Sequence, residues 1–166
     1  MNEFNDFAGF NPSKGAIPTG RVVGIDYGTV RIGVAISDSE QKIASPYEIY
    51  TRKNPRLDEQ YFRNLAQQER VAFFVVGLPL HPSGDESEKS KEARDFAKWL
   101  TEKTGVETIL FDERFSSKMA DELMREAHFT SKQKKARRDK LAAYVILASW
   151  LESDRSKSTP NQPLEG

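Results

Sequence analysis

Cysteine is absent from this chain of 166 residues, which excludes a disulfide framework and thiolate metal sites and fits a reducing compartment. No apolar run reaches the roughly 18 residues that a transmembrane helix needs. The first residues, MNEFNDFAGFNPSKG, have neither a basic n-region nor an apolar h-region, so they do not resemble a signal peptide. We therefore expect a cytoplasmic protein with no membrane partner.

An excess of charge of either sign is also absent, since 25 Lys and Arg residues balance 25 Asp and Glu residues. Overall charge therefore gives no argument for nucleic acid, and any basic surface has to be local. One basic segment exists, KQKKARRDK at 132–140, with six positive side chains and one negative side chain. Such a run is usually a solvated surface, but here it adjoins an acid, which favours contacts with phosphates. The candidate residues for these contacts are Lys134, Lys135, Arg137 and Arg138, with Arg31 and Arg114 as candidates for a further phosphate clamp.

Both ends of the chain lack hydrophobic periodicity. We predict a flexible leader over residues 1–19, one domain over residues 20–152 and a disordered tail over residues 153–166. Within the domain, apolar alternation predicts a hairpin of strands at 21–28 and 31–38 and a third strand at 43–52, weakened by Pro46.

Helices and strands then alternate along the chain. The predicted elements are helix 57–70, a strand at 71–80 buried on both faces, helix 88–105 closed by Gly105, strand 106–114, helix 116–127 with Ser117 as its N-cap, and an apolar helix at 138–152. Three strands followed by α/β crossovers indicate an α/β protein with a mixed sheet and flanking helices. The loop GLPLHPSGDES after the buried strand is interpreted equally as a mobile substrate loop or as a simple crossover connection.

An acid ends the first predicted strand in VVGIDYGTVRIGVAIS. Asp26 shares a face with Gly24 by the strand period of two, and Gly33 and Ala35 lie on the partner strand. An isolated Asp-x-Gly is common turn chemistry. Small residues beside the acid, however, leave room for a group to approach the backbone.

Two further acidic positions adjoin core elements. Asp112 and Glu113 end the last strand and alternate in direction, so only one of them can face the side of Asp26. An alternative is a solvated strand end with Arg114 as the ion-pair partner. Asp139 opens the last helix, where an acid also favours the helix dipole.

The three positions together fit a site for Mg²⁺ or Mn²⁺, because hard divalent cations take oxygen ligands. Two such ions about 4 Å apart clamp a phosphodiester during attack by water. We expect Asp26 and Asp139 to be metal ligands, with Glu113 or Asp112 as the third, and all four residues are catalytic candidates.

Four segments of the chain, in order, resemble the YqgF/RuvX family: DYGTVRIGVAISD, VVGLPLHPSGDES, FDERFSS and RRDKLAAYVIL. The resemblance covers about residues 20–152. It implies a ribonuclease H-like fold with a mixed five-stranded sheet, and a nuclease that resolves Holliday junctions or matures the precursor of small-subunit ribosomal RNA. It further implies that Asp26 is the first catalytic acid, that Asp112 and Glu113 occupy the second acidic position, and that Asp139 is the last acid.

Two alternatives remain open. The segment DYGTVRIG also resembles the phosphate-binding loop of sugar kinases and actin, which pair two such domains around ATP. A non-catalytic RNA-binding factor for ribosome assembly would explain the basic segment but not the acids. The expected partners are precursor ribosomal RNA or branched DNA, with ribosomal precursor particles as further candidates, and the expected state is a monomer or a homodimer.

Overall fold

The computed structural model describes residues 19–115, Glu122 and residues 141–152. The strands are β1 (Arg21–Asp26), β2 (Arg31–Ser37), β3 (Ala44–Thr51), β4 (Val71–Leu78) and β5 (Glu107–Asp112). The helices are α1 (Pro55–Gln68), α2 (Glu88–Thr104), a 3₁₀ turn (Glu113–Phe115) and a helix over residues 141–152.

The five strands form one sheet in the order β3-β2-β1-β4-β5. β1 pairs antiparallel with β2, and β2 with β3, whereas β4 runs parallel to both β1 and β5. The predicted mixed five-stranded sheet is therefore confirmed. Because β1, β4 and β5 are parallel, their carboxyl ends lie at the same edge of the sheet, which brings the ends of β1 and β5, Asp26 and Asp112, to that edge.

Apolar side chains cover both faces of the sheet. On one face α1 and α2 bury Phe62 and Phe96 against β-strand residues such as Phe74. On the other face the 141–152 helix packs against the sheet through residues that include Leu147 and Trp150. Every residue of β4 except Ala72 is buried, which explains its continuous apolar sequence.

Helix boundaries follow their capping residues. The Asn54 side chain caps α1 by accepting from the Leu57 amide, and Pro55 takes the first helical position, so the helix begins two residues before its predicted start. Ser87 and Ser90 cap α2 reciprocally, and Gly105 ends it at φ 75°, as predicted.

The third strand tolerates its proline because β3 is an edge strand. Its register with β2 shifts where Glu48 pairs with Val34 and Pro46 pairs with Ala35, so Tyr47 is the extra residue of a bulge.

Several predicted features lie outside the described residues. These are the leader up to residue 18, the tail over 153–166, the Ser117 cap, the basic segment 132–140 and, apart from Glu122, the helix over 116–127. In the part of the chain that the structure describes, no helix is both long and apolar enough to span a bilayer.

Candidate active site

A glycine in β4 separates two acids at the carboxyl edge of the parallel strands. Ile25 pairs with Val76, which places the end of β1 beside Gly77. A Cβ atom on Gly77 would lie 2.5 Å from the Glu113 Oε2 atom and 2.5 Å from the Ile146 Cδ1 atom. The Glu113 carboxylate therefore lies directly over the β4 backbone, in space that no other residue type at position 77 would leave open.

Asp26 and Glu113 line the same cleft of about 390 Å³. Its lining comes from the end of β1 and the turn that follows it, the end of β4, the first turns of α2 and the 3₁₀ turn after β5. The lining residues are Asp26, Tyr27, Gly28, Thr29, Gly77, Pro79, Lys89, Glu92, Ala93 and Glu113.

Electrostatic repulsion between the acids is visible at Glu113. Burial, as the largest cause, and the negative charges of Asp26 and Asp112 together raise the pKa of Glu113 to about 7, whereas Lys89 opposes the shift. A cation bound in the cleft would relieve both the burial cost and the repulsion. Two carboxylates are also the number that Mg²⁺ commonly takes, together with water and phosphate oxygens.

Asp112 has a different environment from Glu113. The Arg114 Nε atom donates to both Asp112 carboxylate oxygens, at 3.0 and 2.9 Å. Burial alone would raise the pKa of Asp112, but the hydrogen bonds from Arg114 outweigh it and lower the pKa below its ordinary value. Asp112 is not among the residues that line the cleft. The ion-pair alternative considered from the sequence thus describes Asp112, and Glu113 is the acid that shares the cleft with Asp26.

Arg114 also joins β5 to the loop that follows β4. Its Nη1 atom donates to the Pro82 carbonyl at 3.2 Å, and a Cβ atom on Gly84 would lie 3.2 Å from the same nitrogen. In this arrangement Arg114 holds the loop, whereas the sequence suggested it as a phosphate clamp.

A second groove begins on the other side of Asp26. It has a volume of about 460 Å³ and is lined by Asp26, Gly28, Thr29, Val30, Arg31, Gly33 and Ile49. Arg31 is exposed here, directly after the turn that follows Asp26. The structure therefore places this predicted cation beside the same acid.

The space beside Gly24 is filled by protein. A Cβ atom there would lie 2.7 Å from the Leu147 Cβ atom and 3.0 Å from the Ala143 carbonyl oxygen. The group that approaches β1 at Gly24 is therefore the 141–152 helix. Open space beside β1, which the small residues predicted, exists only at its end, where Asp26 lines the cleft.

Asp139 and the predicted phosphate contacts Lys134, Lys135, Arg137 and Arg138 lie outside the described residues. The helix that begins its described part at residue 141 contacts Gly24, two residues before Asp26 in β1. Within the described residues, no group of three His, Cys, Asp or Glu side chains could hold a metal ion.

Gly77, Lys89 and Glu92 are among the lining residues that were not identified as site residues from the sequence. Gly77 looked like the glycine that ends an apolar strand, although a glycine beside a buried strand end can also mark close approach of another group. Lys89 and Glu92 lie in the predicted helix 88–105, and the sequence analysis gave neither residue a role. Their spacing of three residues, on the first turns of a helix that follows a strand, was the available signal.

The sheet order and the flanking helices define a ribonuclease H-like fold. Solved structures of Thermus thermophilus RuvC share this fold. The RuvC of a complex with a Holliday junction substrate has a TM-score of 0.55 and 12% identity, over 84% of this chain and 97% of that chain. A second RuvC structure has a TM-score of 0.52 and 11% identity, over 83% of this chain and 97% of that chain.

The chain belongs to the RuvX family, since the family model described as "RuvX: Holliday junction resolvase" matches residues 20–153. A relative from Rhodopirellula baltica, named "Putative pre-16S rRNA nuclease", is 53% identical over 137 residues, which are 82% of this chain and 79% of the relative. A relative of the same name from Koribacter versatilis is 38% identical, over 80% of this chain and 87% of the relative. The family predicted from the four sequence segments is confirmed.

Proposed function

We propose that this protein is a divalent-metal-dependent nuclease that hydrolyses phosphodiester bonds in structured nucleic acid. The observation that carries the proposal is the pair of Asp26 and Glu113, which line one cleft on either side of Gly77. Membership of a family described by its resolvase activity, together with relatives named for a pre-16S rRNA nuclease, supports hydrolysis of a phosphodiester.

Asp26, Glu113 and Asp139 are the proposed ligands of Mg²⁺ or Mn²⁺. The metal, when bound, supplies an activated water and neutralises charge on the phosphate. Glu113 must lose its proton to act as a ligand, and it does so less readily than an ordinary glutamate because its pKa is raised to about 7. Asp26 is the last residue of β1, the central strand of the sheet.

Cations on both sides of the acids are the proposed phosphate contacts. Lys89 lines the cleft with Asp26 and Glu113, and Arg31 lines the adjoining groove. A cation near the reacting phosphate stabilises the charge that develops during hydrolysis. Lys134, Lys135, Arg137 and Arg138 stay sequence-based proposals for contacts with the substrate backbone.

Precursor small-subunit ribosomal RNA is the proposed substrate, since the relatives that match over four fifths of this chain carry that name. A Holliday junction is the second candidate, favoured by the description of the family. The proposed setting is the cytoplasm, with ribosomal precursor particles as a partner. The family assignment over residues 20–153 favours a nuclease over the ATP-handling alternative.

The test is cleavage of two labelled substrates side by side, a precursor ribosomal RNA fragment and a synthetic four-way DNA junction, with Mg²⁺, with Mn²⁺ and with a chelator. We expect metal-dependent cutting of the RNA. Metal-dependent cutting of the junction alone would identify a resolvase instead. If the folded protein binds RNA but cuts neither substrate with either metal, the non-catalytic RNA-binding factor would be the correct alternative.

A further inference from the structure

A buried carboxylate lies on the face of the sheet that α1 and α2 cover, and it lines neither groove. Asp58, in the first turn of α1, is only 2% exposed. It accepts hydrogen bonds from the Tyr50 hydroxyl at 2.7 Å, from the Arg52 Nε atom at 3.2 Å and from the Lys53 amide at 3.0 Å. Burial alone would raise the pKa of Asp58, but these hydrogen bonds outweigh it and lower the pKa. The carboxylate therefore stays charged and fixes the Arg52 guanidinium.

Arg52 contacts both ends of the turn between β1 and β2. Its Nη1 atom donates to the Tyr27 hydroxyl oxygen at 2.7 Å. Its own backbone amide donates to the Val30 carbonyl at 2.9 Å. The turn of residues 27–30 joins Asp26 to Arg31. Arg52, the first residue after β3, therefore holds this turn at its first residue and at its last residue.

Aromatic packing adds to this clamp. The Arg52 guanidinium carbon lies 5.3 Å from the centroid of the Tyr27 ring and 5.9 Å from that of the Phe96 ring. The Tyr27 and Phe96 rings are themselves 4.8 Å apart. Tyr27 is thus held through its ring by α2 and through its hydroxyl by Arg52, while the preceding residue, Asp26, lines the cleft.

A partly buried ion pair is weak evidence for stability, because desolvation of the two charges offsets most of their attraction. What the pair does supply is a fixed direction, since the planar guanidinium can donate to Asp58 and to Tyr27 at once only in one orientation. Hydrogen-bonded residues behind a metal ligand commonly fix the orientation of that ligand. Asp58, Arg52 and Tyr27 form such a series of contacts next to Asp26.

We propose that Arg52, held by Asp58, is a positioning residue that fixes the 27–30 turn through Tyr27 and so orients the Asp26 carboxylate. The inference rests on the proposed function for the role of Asp26. The clamp itself is a property of the protein without metal, so it can be tested separately from catalysis.

Tyr27→Phe is the sharpest variant, because it removes only the hydroxyl that accepts from Arg52 and keeps the ring against Phe96. Tyr61→Phe is the matched control: its hydroxyl donates at the same distance of 2.7 Å to Glu48, a β3 residue outside the turn, and the variant keeps the ring that stacks on Tyr50. Arg52→Lys is the second variant, which keeps the charge but replaces the two separate donor nitrogens of the planar guanidinium with a single ammonium nitrogen.

The first measurement is amide hydrogen exchange of peptides covering residues 26–31, without metal and without substrate. We expect exchange to become about tenfold faster in Tyr27→Phe and Arg52→Lys, and to stay unchanged in Tyr61→Phe. The second measurement is calorimetric titration with Mn²⁺, where we expect about tenfold weaker binding in the two clamp variants only.

Each outcome decides one question. Unchanged exchange at 26–31 in Tyr27→Phe would overturn the clamp, even if the wild-type protein is an active nuclease. Faster exchange with unchanged Mn²⁺ binding would show a clamp that does not orient Asp26 and would overturn the positioning role. Faster exchange and weaker Mn²⁺ binding in a protein that cuts no substrate would support the positioning role and count against the nuclease.

Discussion

Glu113 reaches back over Gly77 so closely that a Cβ atom at position 77 would lie 2.5 Å from its Oε2 atom. This contact brings an acid from the turn after β5 across β4 to the cleft that Asp26 lines. The site needs β4 as well as β1 and β5. β4 lies between the two other strands, and at Gly77 it has no side chain to block the approach of Glu113.

Gly77→Ala should therefore displace the Glu113 side chain and abolish most metal-dependent cleavage. Overpacking against Glu113 and Ile146 should also cost about 1–3 kcal/mol in the free energy of unfolding, measured by urea denaturation. The double variant Gly77→Ala with Glu113→Ala tests the contact directly. The alanine at 77 should cost less stability when Glu113 is already truncated, and equal costs would show that the two positions are not coupled.

Glu113 should make the stability of the metal-free protein depend on pH. Its pKa is about 7 in the folded protein against 4.5 ordinarily, so between these values the folded state binds more protons than the unfolded state. Stability should consequently fall mainly as the pH rises from about 4.5 to about 7, by up to about 3 kcal/mol in total. In chelator, Glu113→Gln should lose most of this fall and be the more stable protein at pH 8, whereas the exposed Glu102→Gln should behave as wild type.

The same proton should oppose metal binding. Because a metal ligand has to be deprotonated, Mn²⁺ should bind more weakly as the pH falls below 7, by up to about tenfold per unit. Isothermal titration in two buffers of different ionisation enthalpy should record proton release at pH 6.5 and much less at pH 8. A Mn²⁺ affinity that is flat from pH 6 to pH 8 would exclude Glu113 as a ligand.

Lys89→Ala should reduce cleavage about tenfold, since a cation is lost from the wall of the cleft that faces the substrate. Lys89 is exposed, so its loss should change the free energy of unfolding by less than about 0.5 kcal/mol. Lys98→Ala, an exposed lysine on the same helix, is the matched control. Equal activities of the two variants would remove Lys89 from the site.

The sheet and the first acid follow from the sequence because period-two alternation and a strand end are local signals. Asp26 could be identified because the short turn after it predicts a hairpin, and in that hairpin the small residue Gly33 lies opposite the acid. The sequence could not decide whether Asp112 or Glu113 shares the cleft with Asp26. β5 ends at Asp112, and a 3₁₀ turn then changes the direction of the chain at Glu113. Simple alternation could not show that change of direction.

Long-range burial accounts for the other residues that the sequence did not identify. Asp58 could not be distinguished within the predicted helix 57–70, because its partners Tyr50 and Arg52 lie in and after another strand. Lys89 could not be distinguished from the other charged residues of the predicted helix 88–105, because its place in the cleft depends on where α2 packs. Asp139 stays a prediction, supported by the packing of the following helix against Gly24.

The most direct test of the central claim compares Asp26→Asn with Asp95→Asn, an exposed aspartate on α2, in the cleavage of precursor ribosomal RNA with Mg²⁺. Circular dichroism should show that both variants are folded. We predict that Asp26→Asn loses at least about a hundredfold in rate and that Asp95→Asn keeps the wild-type rate. Wild-type cleavage by folded Asp26→Asn would contradict the account, because the acid that ends β1 would then have no part in the reaction.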